Sequence, residues 1–327
     1  MKYGRNIVLN SHGFLGLMKN KLAIIDMGTN TFHLLIAEGE GGAFNIIFRD
    51  RLAVKIGMGG INDGLITESA IHRALLAMQS FRNIIDQHQV AKVYAFGTSA
   101  MRNARNGPAA AQRIKDVTGI EVNIISGQEE AHFIYLGVKS ALGLGHDMNL
   151  IVDIGGGSIE FIIANQEEVF WKQSFEIGAQ RLLEKFQQHD PILQEEILAL
   201  DKHFDHSLTT LFQSIDKYNP TVLVGSSGTF DTLSDIFCIK HDIHKSPEEV
   251  ETPLTLEGFY EIYKELILKD RQQRMAIPGM IEMRVDMIVV ACCLIRYLVE
   301  KYTFTRIRVS TYSLKEGVLS YLSQQPA

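Results

Sequence analysis

Several features that would point away from an ordinary soluble enzyme are scarce in this sequence. The three cysteines, Cys238, Cys292 and Cys293, are too few for a disulfide scaffold and show no metal-ligand spacing. They read as buried, reduced thiols of a cytoplasmic protein. Positive charge is not in excess: the net charge is −6. That excludes a global field of the kind that gathers nucleic acid, so an anionic ligand would have to be held by local arginines. Long hydrophobic runs are missing as well. In the apolar segment near the C-terminus, the longest charge-free stretch is Met287 to Ile295, too short to span a bilayer. Asn10, Ser11 and His12 interrupt any signal-peptide core behind Lys2 and Arg5. Residues 1–20 read as an N-terminal extension, with Met18 as an alternative start. A chain of 327 residues suggests two domains, yet no Pro/Ser-rich linker separates them.

The composition that remains is that of a globular protein, and its patterning alternates between strand and helix periods. Strand–turn–strand segments begin at "KLAIIDMGTNTFHLLIAEGE" and continue through "AFNIIFRDRLAVKIG". From Thr67 to His88 the apolar positions Ile71, Leu75, Met78, Phe81 and Ile85 recur at helical spacing, with Thr67 and Ser69 supplying capping oxygens. A strand, a Gly-Thr-Ser turn and a helix start follow in "VYAFGTSAMRNARNG". Next come a helix over Ala109–Thr118, the strand "EVNIIS" and a helix over Glu129–Leu142. The second half repeats this plan. "LIVDIGGGSIEFIIANQEEVFWKQSF" is a hairpin set and "PTVLVGSSGTFDTLSDI" a strand, glycine turn and helix. "GMIEMRVDMIVVACCLIRYLVEKY" reads as one long helix, with Met280, Met283 and Met287 on its core face. "RIRVSTYSLKEGVLSYLS" closes the chain with a strand, a turn and a helix. The fold class is α/β with mixed sheets.

The two halves carry an internal repeat. Asp26 and Asp153 lie 127 residues apart, and at that offset Gly28 falls on Gly155, Thr31 on Ser158, Ile36 on Ile163 and Ala37 on Ala164. One Asp-x-Gly turn is weak evidence, because both residues are common in turns. Two copies, each opening one half between apolar strands, point to a paired function. Glycines let backbone approach a ligand closely, and successive N–H groups in such turns form an anion-binding concavity. An aspartate at a strand end would meet a phosphate through a cation or a water. Two facing loops could then clamp a phosphate chain between two α/β domains.

These residues resemble the paired hairpins of the acetate kinase–sugar kinase–Hsp70–actin fold. Within it, the chain is similar to the exopolyphosphatase / guanosine pentaphosphate phosphohydrolase (Ppx/GppA) family. The similarity runs from Leu22 onward through "IIDMGTNTFHLLIAE", "GTSAMRNARNG", "ISGQEEAHFIYLGV", "IVDIGGGSIEF", "GSSGT", "IPGMIEMRVDMI" and "VSTYSLKEGVL", in order. The resemblance implies two similar ribonuclease H-like domains with a cleft between them. The expected boundaries are residues 21–128 plus 309–327 for the first domain and 129–308 for the second. It implies release of terminal phosphate from inorganic polyphosphate, or conversion of pppGpp to ppGpp, with Mg²⁺ or a similar cation. The kinases and the actin-like nucleotide-binding proteins of the superfamily are the alternatives. By motif position Glu130 matches the catalytic glutamate that acts on water, with Glu129 next to it as the alternative. Asp153 and Glu160 match the acidic pair for water and metal, joined by Asp26 as a metal ligand. Phosphate contacts are expected from Gly28, Thr29, Asn30 and Thr31, from Gly155, Gly156, Gly157 and Ser158, from Gly228 and Thr229, and from Arg102 and Arg284. Arginines suit this role because they bind phosphate oxygens bidentately.

The sequence departs from the family pattern at three places. Ile159 stands where the family has Thr, and Ser313 and Lys315 replace a glycine and an arginine. Longer relatives carry a C-terminal HD-type domain; without one, long polyphosphate is expected to be gripped less processively. Family members often dimerise, so a homodimer is expected. Asp153 and Glu160 sit an odd seven residues apart, which under strict strand alternation puts them on opposite faces unless the glycine turn resets the register. His33 reads as a packed histidine, and the pairs at His146, His189 and His241 as solvated loop residues. Lys55 and Arg181 sit at motif-like positions, whereas Arg49 and Arg51 read as a solvated strand face.

Overall fold

The structure, a computed structural model, describes residues 20–40, 43–246 and 248–324. The expected N-terminal extension lies outside these residues, apart from Asn20. Eleven strands are formed among the described residues. They are β1 (Asn20–Met27), β2 (Thr31–Glu40), β3 (Ala43–Ala53), β4 (Lys92–Gly97), β5 (Val122–Ile124) and β6 (Asn149–Ile154), followed by β7 (Ile159–Ala164), β8 (Val169–Phe175), β9 (Val222–Ser226), β10 (Glu251–Thr252) and β11 (Arg306–Ser310). One sheet has the order β3-β2-β1-β4-β5, the other β10-β11-β9-β6-β7-β8. In each sheet two hairpin connections lead to a parallel neighbour: β1 pairs with β4, and β6 with β9.

The repeat read from the sequence is present in the backbone down to its irregularities. Gly28 N–H bonds to the Thr31 carbonyl and Gly155 N–H to the Ser158 carbonyl, both at 3.1 Å. The β2–β3 ladder shifts register between Ile36 and Ala37, and β7–β8 shifts between Ile163 and Ala164, the equivalent pair. A bulge repeated at the same place marks a duplicated unit, because bulges are positioned features of a strand.

Strand alternation then sorts the apolar residues into three cores. Outward-facing Ile25, Leu34 and Ala95 pack under the helices Glu68–Gln87 and Gly107–Thr118. Val152, Phe161 and Leu223 face outward from the second sheet, under helices that include Ser227–Lys240 and Ile288–Lys301. Between the sheets, Ile24 and Leu35 from one and Ile151, Ile162 and Val224 from the other enclose the helices Gly127–Ala141 and Leu314–Ser323. Strands β6 and β7 are buried on both faces, which explains their unbroken apolar runs.

Two elements differ from the sequence reading. The long C-terminal helix starts only at Ile288; Pro278 to Met287 form a series of turns, so Met280 and Met287 are buried without belonging to a helix. The segment "GSSGT" contains no glycine turn. Strand β9 ends at Ser226 and the helix begins at Ser227, with φ of 69° at Ser227 absorbing the change of direction. A non-glycine residue in the left-handed region is held there by its surroundings. Among the described residues, no helix is long and apolar enough to cross a membrane.

Candidate active site

The inner layer between the sheets ends in a small open cavity of about 80 Å³, and the register of the strands decides what lines it. Asp26 pairs directly with His33 across β1–β2, and Asp153 directly with Glu160 across β6–β7. Directly paired residues of an antiparallel ladder point to the same face. The odd spacing of Asp153 and Glu160 is therefore no obstacle: they occupy two strands, and their pairing places both on the inner face. His33 holds in the first half the position that Glu160 holds in the second, and it also lines the cavity. The 127-residue offset contains that equivalence, but the residue types differ and hid it.

The helix Gly127–Ala141 delivers Glu130. Its first turn is closed by a capping box: Glu129 N–H bonds to Ser126 Oγ at 3.2 Å and Glu129 Oε2 accepts from Ser126 N–H at 2.8 Å. Glu129 is thereby spent as an exposed cap, and Glu130, one-quarter turn on, points inward and is buried. The Ser-x-x-Glu spacing was the available signal for separating the two.

Each acidic residue of the cavity has a distinct set of partners. Arg102 Nη1 donates to Glu130 Oε2 at 2.7 Å. Glu160 Oε1 accepts from Ser158 Oγ at 2.7 Å and Ser174 Oγ at 2.6 Å. Asp153 accepts from Ser226 Oγ at 3.0 Å and from Ser227 Oγ at 2.7 Å. The strained turn at Ser227 thus serves to aim its hydroxyl at Asp153. Burial dominates the electrostatics. It pushes Glu130 up to about 8 against the pull of Arg102, with Asp26 and Asp153 adding to the rise. It pushes Asp26 up to about 7, opposed by Lys315. Asp153 is raised despite its two serines, and Glu160 is raised well above the ordinary carboxylate range, with Glu130 and Asp153 contributing. His33 is held well below its ordinary range by burial and by Lys315, Arg284 and Arg51.

The glycine loops face each other across the cavity. A Cβ added to Gly157 would stand 2.4 Å from Thr29 Oγ1 and 2.5 Å from Ser99 Oγ, so only glycine permits this approach. Thr31 and Ser158 line the cavity beside these loops, as do Gly28, Asn30, Gly155 and Gly156. Arg284 lines it as well, with its guanidinium lying on Gly228, where a Cβ would fall 2.2 Å from Nη2. Gly228 and Thr229 are in the first turn of helix Ser227–Lys240 and do not line the cavity; Thr229 is buried. Arg102 stands one step back and acts on the cavity through Glu130. Sequence reasoning missed Ser99, Ser174, Ser226, Ser227 and Glu176. It also missed Asp231, which burial raises to about 6 against Lys315 and Arg284. Ser99 lies in the block "GTSAMRNARNG" and Ser226 and Ser227 in "GSSGT", but their side-chain roles, like the places of Ser174, Glu176 and Asp231 outside any such block, are set by tertiary packing.

A divalent cation suits this donor set in part. Asp26, Asp153, Glu130 and Glu160 offer hard carboxylate oxygens, and Thr29 Oγ1 and Asn30 Oδ1 are buried without a hydrogen-bond partner. Among the described residues, no three His, Cys, Asp or Glu side chains are grouped closely enough to hold a metal ion by themselves. That pattern fits Mg²⁺, which is held by one or two carboxylates and completes its shell with waters and substrate phosphates.

Comparison with known proteins agrees with this architecture. The chain is 44% identical, with a TM-score of 0.90, to the crystal structure of an exopolyphosphatase from Cytophaga hutchinsonii, covering 93% of this chain and 98% of that one. It is 25% identical, with a TM-score of 0.75, to the crystal structure of the Ppx/GppA family member of Aquifex aeolicus, covering 92% and 97%. Among curated proteins it is 26% identical over 307 residues to a guanosine-5′-triphosphate,3′-diphosphate pyrophosphatase of Pseudoalteromonas translucida, covering 94% of this chain. It is also 38% identical over 172 residues, half of this chain, to a bifunctional 3-dehydroquinate synthase/phosphatase of Fusobacterium nucleatum. The chain spans 60% and the matched region 26% of the length of those two relatives. The family profile matches residues 35–325, so this chain, with its two mixed α/β sheets of the actin-like type, belongs to the Ppx/GppA phosphatase family.

Proposed function

We propose that this protein removes the terminal phosphate of inorganic polyphosphate by attack of water on the phosphoanhydride. The observation that carries the reading is the convergence of three buried carboxylates, the half-buried Asp26, Arg284 and two glycine loops on one cavity of about 80 Å³. Phosphoanhydride hydrolysis asks the protein for positioning and charge neutralisation rather than covalent chemistry.

Glu130 is the residue placed to orient the attacking water and take its proton. A pKa of about 8 makes its carboxylate a far stronger base than a solvated one and keeps it near the working pH. The water oxygen bonds to the terminal phosphorus, the bridging P–O bond breaks, and the shortened chain leaves with the electron pair. Asp153 and Glu160, fixed by their serines, and Asp26 would hold Mg²⁺, which when bound neutralises charge on the phosphate oxygens. The loop N–H groups not spent on the turn bonds, the unpartnered hydroxyl of Thr29 and Arg284 would hold the transferred phosphoryl group, while Gly28 N–H, Gly155 N–H and the Ser158 hydroxyl keep the loops and Glu160 in place.

A second reading, pppGpp as substrate, has its own observation. A groove of about 790 Å³ lies beside the cavity, lined by Phe44, Arg49, Tyr312 and Lys315, and is large enough for a nucleoside. Lys315 belongs to that groove while its charge acts on Asp26. A kinase-like transfer is the weaker reading, because the glutamate-bearing "GQEEA" block resembles the family's water-activating position. The proposal includes a cytoplasmic homodimer, which fractionation and light scattering check. Phosphate release from polyphosphate, pppGpp and ATP, with Mg²⁺ and no acceptor, tests the whole reading in the wild type and in Glu130→Gln. An inactive wild type sinks the hydrolase, and undiminished activity in Glu130→Gln removes the base.

A further inference from the structure

The cavity ends at Ser99, and Ser99 opens onto a second anion-binding arrangement already filled by the protein itself. Glu176 lies on the connection between β8 and the helix Ala179–Phe186, in the second half of the chain. Its carboxylate crosses to the first half. Oε2 accepts from Ser99 Oγ at 2.6 Å, Oε1 accepts from Arg102 Nη2 at 3.0 Å, and Arg181 Nη2 lies 3.5 Å from Oε2. Both oxygens are thus engaged by a hydroxyl and two guanidinium groups, the donor set that recognises a phosphate.

The two arginines have anchors besides Glu176, whereas the carboxylate is the most exposed charged group of the three. Arg181 is held by the Gly157 carbonyl at Nε (2.8 Å) and the Ile61 carbonyl at Nη1 (2.7 Å), leaving Nη2 turned toward Glu176. Arg102 is held by Glu130 and by the Ile125 carbonyl. Side-chain exposure is 16% for Arg102 and 14% for Arg181, against 39% for Glu176. An accessible anion therefore sits on a buried, prearranged cationic pocket. The pocket adjoins the cavity through Ser99, whose hydroxyl packs over Gly157. A phosphate chain entering the cavity needs donors beyond the group at its floor, and this adjoining pocket supplies them with the right charge.

We propose that Ser99, Arg102 and Arg181 form the subsite for the penultimate phosphate of the substrate, and that Glu176 is an internal competitor which the phosphate displaces. The inference rests on the phosphoanhydride reading of the cavity. No bond is made or broken: one anion replaces another on the same donors. The apparent affinity for a chain of two or more phosphates is then lowered by the fraction of molecules in which Glu176 holds the pocket. A single inorganic phosphate, bound in the cavity alone, escapes that competition.

The test compares wild type, Glu176→Gln and Glu176→Ala. Tripolyphosphate and inorganic phosphate binding are measured by calorimetry with Mg²⁺ in the Glu130→Gln background, and KM for polyphosphate in the active enzymes. Both substitutions should tighten tripolyphosphate and lower KM by about two- to fivefold, the scale of partly exposed ion pairs, with inorganic phosphate unchanged. A residue that merely latches the two halves would, when removed, leave tripolyphosphate binding unchanged or weaker in both variants, and that result overturns the proposal. Equal tightening of inorganic phosphate would overturn it as well, by showing no separate subsite. Phosphate release by the wild type is read independently, so its absence counts against the hydrolase reading and not against the competition measured by binding.

Discussion

Replacing Glu130 by Gln should make the protein less active and, at alkaline pH, more stable. Glu130 is buried, and burial raises it from 4.5 to about 8. Between those values the folded state holds a proton that the unfolded chain has released. Stability associated with this group is full below pH 4.5 and is lost as pH rises through about 8. A displacement of about 3.5 units corresponds to a ceiling of about 5 kcal/mol above pH 8. The value of about 8 already contains the pull of Arg102, and that arginine's loss of a charged partner in the variant offsets part of the gain. We expect Glu130→Gln to be more stable than wild type by about 1–3 kcal/mol at pH 9 and equal to it within about 1 kcal/mol at pH 5. Urea unfolding at both pH values, with a chelator to keep cations from holding the carboxylates together, gives the difference directly. Phosphate release should fall by about 10²–10⁴ in the same variant. A variant destabilised equally at both pH values would refute the reasoning, because Glu130 would then be a structural ion-pair partner and not a strained buried acid.

Other perturbations test other parts of the site. Gly157→Ala puts a methyl group 2.4 Å from Thr29 Oγ1, so the two loops must part; thermal unfolding should show a loss of about 1–3 kcal/mol and phosphate release should drop by at least tenfold. Ser227→Gly relieves the residue's positive φ but removes the hydroxyl on Asp153; stability at pH 5 should hold within about 1 kcal/mol while kcat falls, and Ser227→Ala should lose both. Lys315→Ala takes away the charge that opposes the raised value of Asp26, about 7 in the folded protein. Asp26 should then titrate higher, and the acid limb of the pH–rate profile should move to higher pH, whereas Lys315→Arg should leave it in place. Chelation should abolish phosphate release, with recovery on adding Mg²⁺ in excess, measured by phosphate assay.

What the sequence determined by itself was whatever short-range chemistry controls. The paired Asp-x-Gly turns, their apolar flanking strands and the 127-residue repeat follow from turn residues and period-two patterning, and they recur in the structure with the same turn bonds and the same bulge. Glu130, Asp153 and Glu160, near the ends of their elements, and Arg284, in the turns before the helix Ile288–Lys301, are all expected from motif order, and all four line the cavity. Tertiary structure decided the rest. Cross-strand pairing, not spacing along the chain, put Asp153 and Glu160 on one face, and placed His33 opposite Asp26 as the counterpart of Glu160. A capping bond turned Glu129 outward and Glu130 inward. The hydroxyls of Ser174, Ser226 and Ser227, and Glu176 between Arg102 and Arg181, come from segments far apart in the chain. Ser226 and Ser227 stand inside the block "GSSGT", yet nothing local says that they meet Asp153, and Ser174 and Glu176 lie in no such block. Their roles arise from burial, which raises the acids, and from the close packing of two glycine loops, which brings donors from both halves to the same few ångströms.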